Sequence, residues 1–471
     1  MSTIAAIATP AGVGGIAVIR VSGHDAFVIT DSIFRPANKK KSIASAAAYT
    51  MLYGTISDPT THDDIDDVVV AIFRAPHSFT AEDTVEVSCH GSQYIQQSIL
   101  QALIGAGCRM AEPGEFTRRA FMNGRIDLSQ AEAVADLIHA TSASAHRVAM
   151  NQMRGDVSSR LGLLRDQLLH LTSLLELELD FSDHEELQFA DRSELRSLSD
   201  DIHSQICRLM ASFSSGDAIK NGIPVAIVGE TNAGKSTLLN LLVGDDRAIV
   251  SDIHGTTRDV IEDTVSIRGQ LFRFIDTAGI RQTSDVIENL GIERTYSMIE
   301  KAQIILWVVD STAVTEHIEW LAERILRRAD GKPVIIVLNK TDRLNDDESH
   351  ILRNIFSTYQ APIIEISAKH RIGTDTLINH LYQAADINAT ETDVIITSAR
   401  HYDALSQALT DIDAVRAGLD TVRAGLDTSI PSDLIAQDLR LCLHHLATIT
   451  GGAITPPEVL SNIFTHFCIG K

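Results

Sequence analysis

The segment Gly229-Glu-Thr-Asn-Ala-Gly-Lys-Ser236 constrains this chain more than any other. It follows an apolar run, residues 223–228, and precedes another, residues 237–243, an order that predicts a strand, a loop and a helix. The two glycines let backbone N–H groups point at a polyphosphate, Lys235 can reach the β- and γ-phosphates, and the Ser236 hydroxyl can hold Mg²⁺. The sequence therefore predicts a phosphate-binding loop at the start of a helix.

Four further apolar runs downstream each end in polar residues. They are residues 271–275 before Asp276-Thr-Ala-Gly279, residues 304–309 before Asp310, residues 334–338 before Asn339-Lys-Thr-Asp342, and residues 363–366 before Ser367-Ala-Lys369. Short strands of this kind, separated by helical stretches, predict a parallel sheet covered on both faces, with the ligand along the strand ends. There Asp276 can hold a Mg²⁺ water and the Gly279 N–H can meet a γ-phosphate.

The segment Asn339-Lys-Thr-Asp342 resembles the guanine-reading motif of GTPases. A carboxylate in that motif accepts from the base N1–H and 2-amino group, so the expected ligands are GTP and GDP rather than ATP. The resemblance to the translation-factor-related GTPase superfamily covers about residues 221–384. The nucleotide-binding residues predicted from these motifs are Asn232, Ala233, Gly234, Lys235, Ser236, Thr237, Asp276, Thr277, Ala278, Gly279, Asn339, Lys340, Asp342, Ser367, Ala368 and Lys369.

The residue after Gly279 bears on hydrolysis. Many small GTPases have a glutamine there that orients the attacking water, whereas this chain has Ile280. Either hydrolysis is unassisted and slow, or Glu288 reaches in, although spacing alone favours a solvated loop carboxylate at Glu288. The side-chain carbonyl of Asn232 and oxygen donors from residues 251–258 can form a cage for a monovalent cation, which would supply positive charge in the transition state.

Length, charge and cysteine usage set the broad class. A chain of 471 residues predicts about three domains. The formal net charge of −22 argues against a generally basic surface but leaves a local basic groove open. The five scattered cysteines fit a reducing compartment. No apolar run reaches the ~18 residues of a membrane span, and no signal peptide is recognisable, so we expect a cytoplasmic protein without a membrane partner.

The remaining sequence predicts two further kinds of structure. Residues 1–120 alternate short predicted strands, over residues 16–21, 67–73 and 84–87, with two helices near 24–34 and 92–106, which indicates an α+β domain. Helical periodicity runs on from Leu128 and resumes over residues 397–449, which predicts a helical domain built from both flanks of an inserted GTPase domain. The predicted boundaries are 1–120, 121–215, 216–384 and 385–471. We interpret the direct repeat of seven residues over 415–428 as a tolerated duplication.

Motifs along the whole chain resemble the bacterial tRNA modification GTPase family MnmE (TrmE). They include Gly15-Ile-Ala-Val-Ile-Arg-Val-Ser-Gly23, Glu86-Val-Ser-Cys-His-Gly91, the segment over residues 113–128 and the tail Phe467-Cys-Ile-Gly-Lys471. The resemblance implies an N-terminal domain like tetrahydrofolate-binding domains, which takes 5-formyl- or methylene-tetrahydrofolate. The matching folate positions are Arg20, Glu86, Arg125 and Lys471, with Arg125 at a position that is often lysine. It also implies that Cys468 takes part in the chemistry.

The same resemblance implies roles at the nucleotide. It assigns potassium to Asn232, Ser251, Ile253 and Thr256, Mg²⁺ to Ser236 and Thr257, and orientation of the attacking water to Glu288. Lys235 is expected to be catalytic as well, and the nucleotide-binding residues are expected to include Ser251, Ile253, Thr256 and Thr257. The expected protein is a homodimeric, potassium-activated GTP hydrolase. With an FAD-dependent partner, in a heterotetramer, it would install a 5-(carboxymethyl)aminomethyl-type group at the wobble uridine of certain tRNAs. The alternatives are a GTP-switched RNA-binding or ribosome-assembly module without one-carbon chemistry, and a lipid-anchored signalling switch.

Overall fold

The computed structural model describes residues 2–180, 192–244, 262–275, 298–313, 317–385, 394–423 and 432–452, together with Ile463, Phe464, Phe467 and Gly470. The chain forms two compact units. The first consists of Met1–Ile138, Asn151–Ile202 and Gln407–Lys471, and the second of His139–Met150 and His203–Ser406. Within the described ranges, no helix combines the length and apolar composition needed to cross a lipid bilayer.

The first unit begins with a seven-stranded sheet in the strand order β3-β4-β5-β6-β2-β1-β7. All neighbouring strands are antiparallel except β1 and β7. The elements are β1 (Ile4–Ile7), β2 (Gly14–Ser22), α1 (Ala26–Ile33), β3 (Phe34–Pro36), β4 (Thr50–Ser57), β5 (Asp64–Phe73), β6 (Thr84–Gly91), α2 (Gln93–Gly105), β7 (Arg109–Met110) and α3 (Glu115–Met122).

Alternation along β6 separates the two faces of this sheet. Val85, Val87 and Cys89 are buried in one apolar cluster with residues of α1 and α2. Because side chains alternate along a strand, Glu86 and the residues two and four positions later lie on the opposite face. That face carries Arg20 and Glu86, which are two of the four predicted folate positions.

Long helices follow the sheet. They are α4 (Leu128–His139), α5 (Ala143–Met153), α6 (Asp156–Asp180) and α7 (Arg192–Asn221), and near the end of the chain α12 (Ala399–Arg423) and α13 (Ser432–Thr450). In the first unit Arg416 of α12 donates to Asp200 of α7 at 2.7 Å, and Arg196 contacts Asp420. Both α12 partners lie in the first copy of the direct repeat, whereas the second copy extends beyond the described residues.

The second unit contains a six-stranded sheet in the order β13-β12-β11-β8-β10-β9. All neighbouring strands are parallel except β9 and β10, which are antiparallel. Its elements are β8 (Ile223–Val228), α8 (Lys235–Val243), β9 (Glu262–Ile267), β10 (Gln270–Ile275), β11 (Ile304–Asp310), α9 (His317–Ala329), β12 (Val334–Asn339), α10 (Asp346–Phe356), β13 (Ile363–Glu365) and α11 (Thr374–Ala384).

Strand β8 is buried on both of its faces. Val225 and Ile227 belong to one apolar cluster with residues of α8 and α11, and Ala226 and Val228 belong to another with residues of α9 and α10. Continuous apolar strands are expected where helices cover both faces of a parallel sheet. Polar residues can then leave the core only at the strand ends, and the predicted nucleotide residues lie there.

Candidate functional site

The loop between β8 and α8 has the backbone of a tight phosphate cradle. Gly229 and Gly234 have φ angles of +150° and +94°, and a Cβ would lie 2.1 Å from the Val308 carbonyl oxygen at the first and 2.2 Å from Asn339 Nδ2 at the second. Asn232 adopts φ +66°, a left-handed conformation that asparagine tolerates. Any side chain at either glycine would push the loop off the neighbouring strand ends, so the residues present fit a polyphosphate ligand.

Lys235 is held inside this loop. Its ammonium donates to the carbonyl oxygens of Gly229 and Glu230 at 2.9 and 2.7 Å. Ser236 and Thr237 follow in the first turn of α8, and both are exposed. The loop therefore keeps its one lysine beside the cradle, while the hydroxyl that would hold Mg²⁺ remains accessible.

Asn339 connects the two loops nearest to it. Its Nδ2 donates to the Ala233 carbonyl at 2.8 Å, and its Oδ1 accepts from the Ala368 N–H at 3.0 Å. The side chain is almost fully buried, so both hydrogen bonds form away from water and strengthen each other. Asn339 thus fixes the phosphate loop against the loop that follows β13.

Asp342 presents the carboxylate predicted to read the base. Ser367 donates its hydroxyl to Oδ1 at 2.6 Å, and His370 Nε2 lies 3.6 Å from Oδ2. The hydrogen bond from Ser367 is the main cause that holds the pKa of Asp342 below its usual range. The carboxylate is therefore ionised at neutral pH and oriented by one oxygen, with its other acceptor positions open to a ligand.

Lys340 is positioned by a residue whose role the sequence did not reveal. Its ammonium pairs with Asp310 at the end of β11, and Lys340 itself has φ +68°. Burial alone would raise the pKa of Asp310, but hydrogen bonds from Lys340 and Thr312 lower it. The position of Asp310 after an apolar strand was the available signal, because parallel neighbouring strands place their carboxyl ends side by side.

The predicted phosphate, base and loop residues that the structure describes therefore converge on one edge of the sheet. The others lie outside the described residues, namely Ser251, Ile253, Thr256, Thr257, Asp276, Thr277, Ala278, Gly279, Glu288, Cys468 and Lys471.

A second polar site lies on the face of the first unit's sheet opposite α1 and α2, where Phe116 of α3 also packs. Arg20 on β2 and Glu86 on β6 are cross-strand partners, with Nε and Nη2 of Arg20 at 2.9 and 2.8 Å from Glu86 Oε1. Arg20 Nη1 also donates to the Gly470 carbonyl at 3.3 Å. Gly470 packs closely against the backbone at the end of β1, since a Cβ there would be 2.5 Å from the Ile7 carbonyl oxygen. The tail thus contacts Arg20, one of the four predicted folate positions.

Arg125 does not join this pair. Its side chain is exposed and, among the described residues, forms no hydrogen bond or ion pair. Sequence reasoning also missed Arg119, which is buried and contacts Glu82 and Glu115. The signal was the spacing of four between Glu115 and Arg119 in an amphipathic helix, which places both on one face.

A parallel sheet that gathers a phosphate loop, a buried asparagine and an ionised aspartate at one edge defines a P-loop protein of the guanine-nucleotide class. Two family models match the chain: the one described as MnmE helical domain over residues 128–468, and the one described as GTP-binding protein TrmE N-terminus over residues 3–125. The chain belongs to the MnmE (TrmE) family of GTPases. Both the predicted family and the prediction of a GTP hydrolase are confirmed.

Relatives match over the full length of the chain. It is 57% identical to tRNA modification GTPase MnmE of Parabacteroides distasonis, and the match covers 100% of both chains. It is 54% identical to tRNA modification GTPase MnmE of Bacteroides fragilis, over 100% of this chain and 99% of that protein. Among solved structures, a point variant of Aquifex aeolicus Era bound to GDP.AlF4- is 28% identical over 40% of this chain and 65% of that chain, with a TM-score of 0.29. The full-length relatives and the family models confirm the predicted fold class, an N-terminal α+β domain with a discontinuous helical domain and an inserted P-loop GTPase domain.

Proposed function

We propose that this chain is a potassium-activated GTP hydrolase that modifies the wobble uridine of certain tRNAs together with an FAD-dependent partner. The observation that carries the proposal is the 57% identity over the whole chain to a tRNA modification GTPase. We further propose a cytoplasmic homodimer that forms a heterotetramer with the partner. Its domain boundaries would be 1–120, 121–215, 216–384 and 385–471.

In this proposal each nucleotide contact has a physical task. The backbone N–H groups of residues 232–237 bind the phosphates, and Asp342 reads the guanine edge. Ser236 and Thr237 lie in the first turn of α8, beside the proposed phosphate site. Ser236 and Thr257 would hold Mg²⁺, and Asp276 would hold one of its waters. Glu288 orients the attacking water. A potassium ion on Asn232, Ser251, Ile253 and Thr256 would supply positive charge to the phosphates when bound.

The first test is the choice of monovalent cation. We expect GTP turnover in potassium to exceed turnover in sodium at matched ionic strength by about tenfold, which is about 1.4 kcal/mol in the barrier. Asn232→Gly should remove most of that ratio, because one oxygen ligand is lost, while GDP affinity changes little, because glycine adopts the left-handed backbone of Asn232 without strain. Steady-state phosphate release measures the rates. Asn240→Ala, on the exposed side of α8, is the matched control, and equal wild-type rates in both salts would contradict potassium activation.

The folate proposal rests on the chemistry of the Arg20–Glu86 pair. Pterins present an amino group and a ring N–H side by side, as guanine does, and a carboxylate can accept from both. Arg20 donates to only one oxygen of Glu86, and that carboxylate is partly exposed. The Arg20 guanidinium itself lies over the rings of Phe79 and Phe116, at 5.6 and 5.7 Å from their centroids. A folate would supply the one-carbon unit when bound, and Arg20, Glu86, Arg125 and Lys471 would hold it.

The second test is direct binding of 5-formyltetrahydrofolate. Arg20→Ala should weaken binding by roughly 10- to 100-fold, because a charge-assisted contact and the orientation of Glu86 are lost together. Isothermal titration calorimetry on the full chain measures this. Arg35→Ala serves as the control, because Arg35 is an exposed arginine on the edge strand of the same sheet, paired with Asp64. Unchanged affinity in Arg20→Ala would place the folate elsewhere.

The tRNA step separates this proposal from a ribosome-assembly module. Expression of the chain in a bacterium that lacks its own MnmE should restore the modified wobble nucleoside, as measured by mass spectrometry of digested tRNA. Arg20→Ala should hydrolyse GTP normally but fail to restore the nucleoside. A ribosome-assembly module predicts that neither protein restores it.

A further inference from the structure

We propose that the loop carrying Lys39, Lys40 and Lys41 is a docking surface for the phosphate backbone of the RNA substrate. This inference rests on the proposed function, because it assigns a contact surface to the tRNA. The three lysines are consecutive and exposed, and among the described residues none has a carboxylate partner. They stand out in a chain whose formal net charge is −22.

The loop that presents these lysines is held in place by the rest of the domain. Asn38 turns the chain, since its Oδ1 and its carbonyl oxygen accept from the N–H groups of Lys40 and Lys41 at 3.1 and 2.9 Å. Just beyond, Ile43 is completely buried, and its N–H donates to Asp31 Oδ1 at 2.8 Å. The lysines are therefore carried between fixed points rather than on a free tail.

Arg74 anchors the far side of the same loop. Its guanidinium donates to the carbonyl oxygens of Ala44 and Ala46 at 2.7 to 3.0 Å and lies over the ring of Phe27, 4.6 Å from the centroid. A loop fixed in this way loses little conformational entropy when its side chains bind a partner. A fixed loop of this kind should bind a polyanion more tightly than a mobile run of lysines would.

Negative charges lie at the end of strand β4 that is farther from the lysine loop. Edge strand β3 runs antiparallel to β4, with Pro36 opposite Gly54, so the lysine loop leaves β3 in the direction of Thr50 at the start of β4, whereas an acidic turn begins at Ser57, the other end of β4. The turn and the start of β5 contain Asp58, Asp63, Asp64, Asp66 and Asp67. At about 3.3 Å per residue, the two ends of β4 lie roughly 25 Å apart. A polyanion is therefore attracted to one end of this sheet edge and repelled from the other.

RNA phosphate is the chemistry that fits this arrangement. Lysine ammonium groups contact phosphate oxygens without reading sequence, and each contact releases condensed counterions. The binding constant of such a complex falls with salt, with a logarithmic slope of about 0.7 to 0.9 per phosphate contact. The lysine loop would thus position the tRNA, and base recognition would come from other residues.

The test compares two variants that lose three positive charges each. Lys39→Gln/Lys40→Gln/Lys41→Gln alters the loop, and Lys301→Gln/Arg327→Gln/Arg371→Gln alters exposed cations of the second unit. An unmodified tRNA transcript serves as the probe, titrated by fluorescence anisotropy between about 50 and 200 mM salt. We expect the loop variant to bind roughly tenfold more weakly, with a salt slope reduced by about two. Arginines in place of the three lysines should restore both values, and the control variant should match the wild type.

The outcomes separate the inference from the proposed function. If wild-type protein binds no tRNA, the proposed function fails. If wild-type protein binds and the loop variant shows the same affinity and salt slope, the inference alone is overturned. Equal losses in both variants would assign the effect to net charge and also overturn it. Loss of binding to phosphatidylglycerol vesicles with unchanged tRNA binding would make the loop a membrane contact instead.

Discussion

Replacement of Asp342 by asparagine is expected to weaken GTP and GDP binding by roughly 100- to 1000-fold. The amide keeps one acceptor oxygen, so one hydrogen bond from the guanine N1–H or 2-amino group would be lost and the other would lose its charge assistance, together about 3 to 4 kcal/mol. The Ser367 hydroxyl holds the Asp342 side chain in place, so an isosteric amide would keep the geometry and lose the charge. The loss should therefore appear in base recognition rather than in folding.

The same substitution is expected to improve binding of xanthosine nucleotides. Xanthine has a carbonyl oxygen where guanine has its 2-amino group, and an amide N–H can donate to it, whereas a carboxylate repels it. Competition against a fluorescent GDP analogue measures all three affinities. Asp347→Asn is the matched control, because Asp347 is an exposed carboxylate in the first turn of α10. Equal GDP affinity in wild type and Asp342→Asn would show that another group reads the base.

Most of the nucleotide edge could be predicted because its residues are contiguous in sequence. The loop over residues 229–236 and the segment over 339–342 each carry their own spacing, and buried strands before them fix which edge they occupy. The clamp by Asn339 could not be predicted, because it joins segments 106 and 29 residues apart. The pair between Lys340 and Asp310 is equally hidden, since it depends on the order of strands in the sheet.

The strands of the first unit were harder to predict from the sequence than those of the second. Strands β2, β5 and β6 contain β-branched runs and were predicted, but β4 was not, because Thr50–Ser57 mixes glycine, tyrosine and methionine with few alternating apolar residues. Strand β1 follows the start of the chain and is rich in alanine, a residue that favours helices. Pairing with neighbouring strands overrides local propensity at both places, and such pairing has no local sequence signal.

Arg119 is expected to be the residue whose loss most destabilises the first unit. Its guanidinium lies 3.0 Å from Glu115 Oε1 and 3.1 Å from Glu82 Oε2, and it donates to the Ser2 carbonyl at 2.7 Å. The side chains of Arg119 and Glu115 are each only 3% exposed. Arg119→Met would remove the cation that pairs with Glu82 and would leave the buried Glu115 with Arg109 alone, at a cost of about 3 to 5 kcal/mol.

The contribution of the Arg119–Glu115–Glu82 cluster to stability depends on pH through Glu115. Burial alone would raise its pKa, but hydrogen bonds from Arg109, the Glu112 N–H and Arg119 hold it below the usual range. A carboxyl group with a lowered pKa in the folded state contributes stability above its unfolded-state pKa. That contribution is lost as pH falls through the lower folded-state value. The difference in the free energy of unfolding between wild type and Arg119→Met should therefore be largest near neutral pH and should decrease in acid.

The location of the two tryptophans allows the Arg119 prediction to be tested within one full-length protein. Trp307 and Trp320 both lie in the second unit, so tryptophan fluorescence reports that unit, while calorimetry reports both. Arg119→Met should lower the calorimetric transition of the first unit and leave the fluorescence midpoint unchanged. Arg118→Met is the matched control, since Arg118 forms a more exposed pair with Glu112 and should cost less than about 1 kcal/mol. Equal effects of the two substitutions would mean that water reaches the cluster around Arg119 in solution and that burial does not determine its contribution to stability.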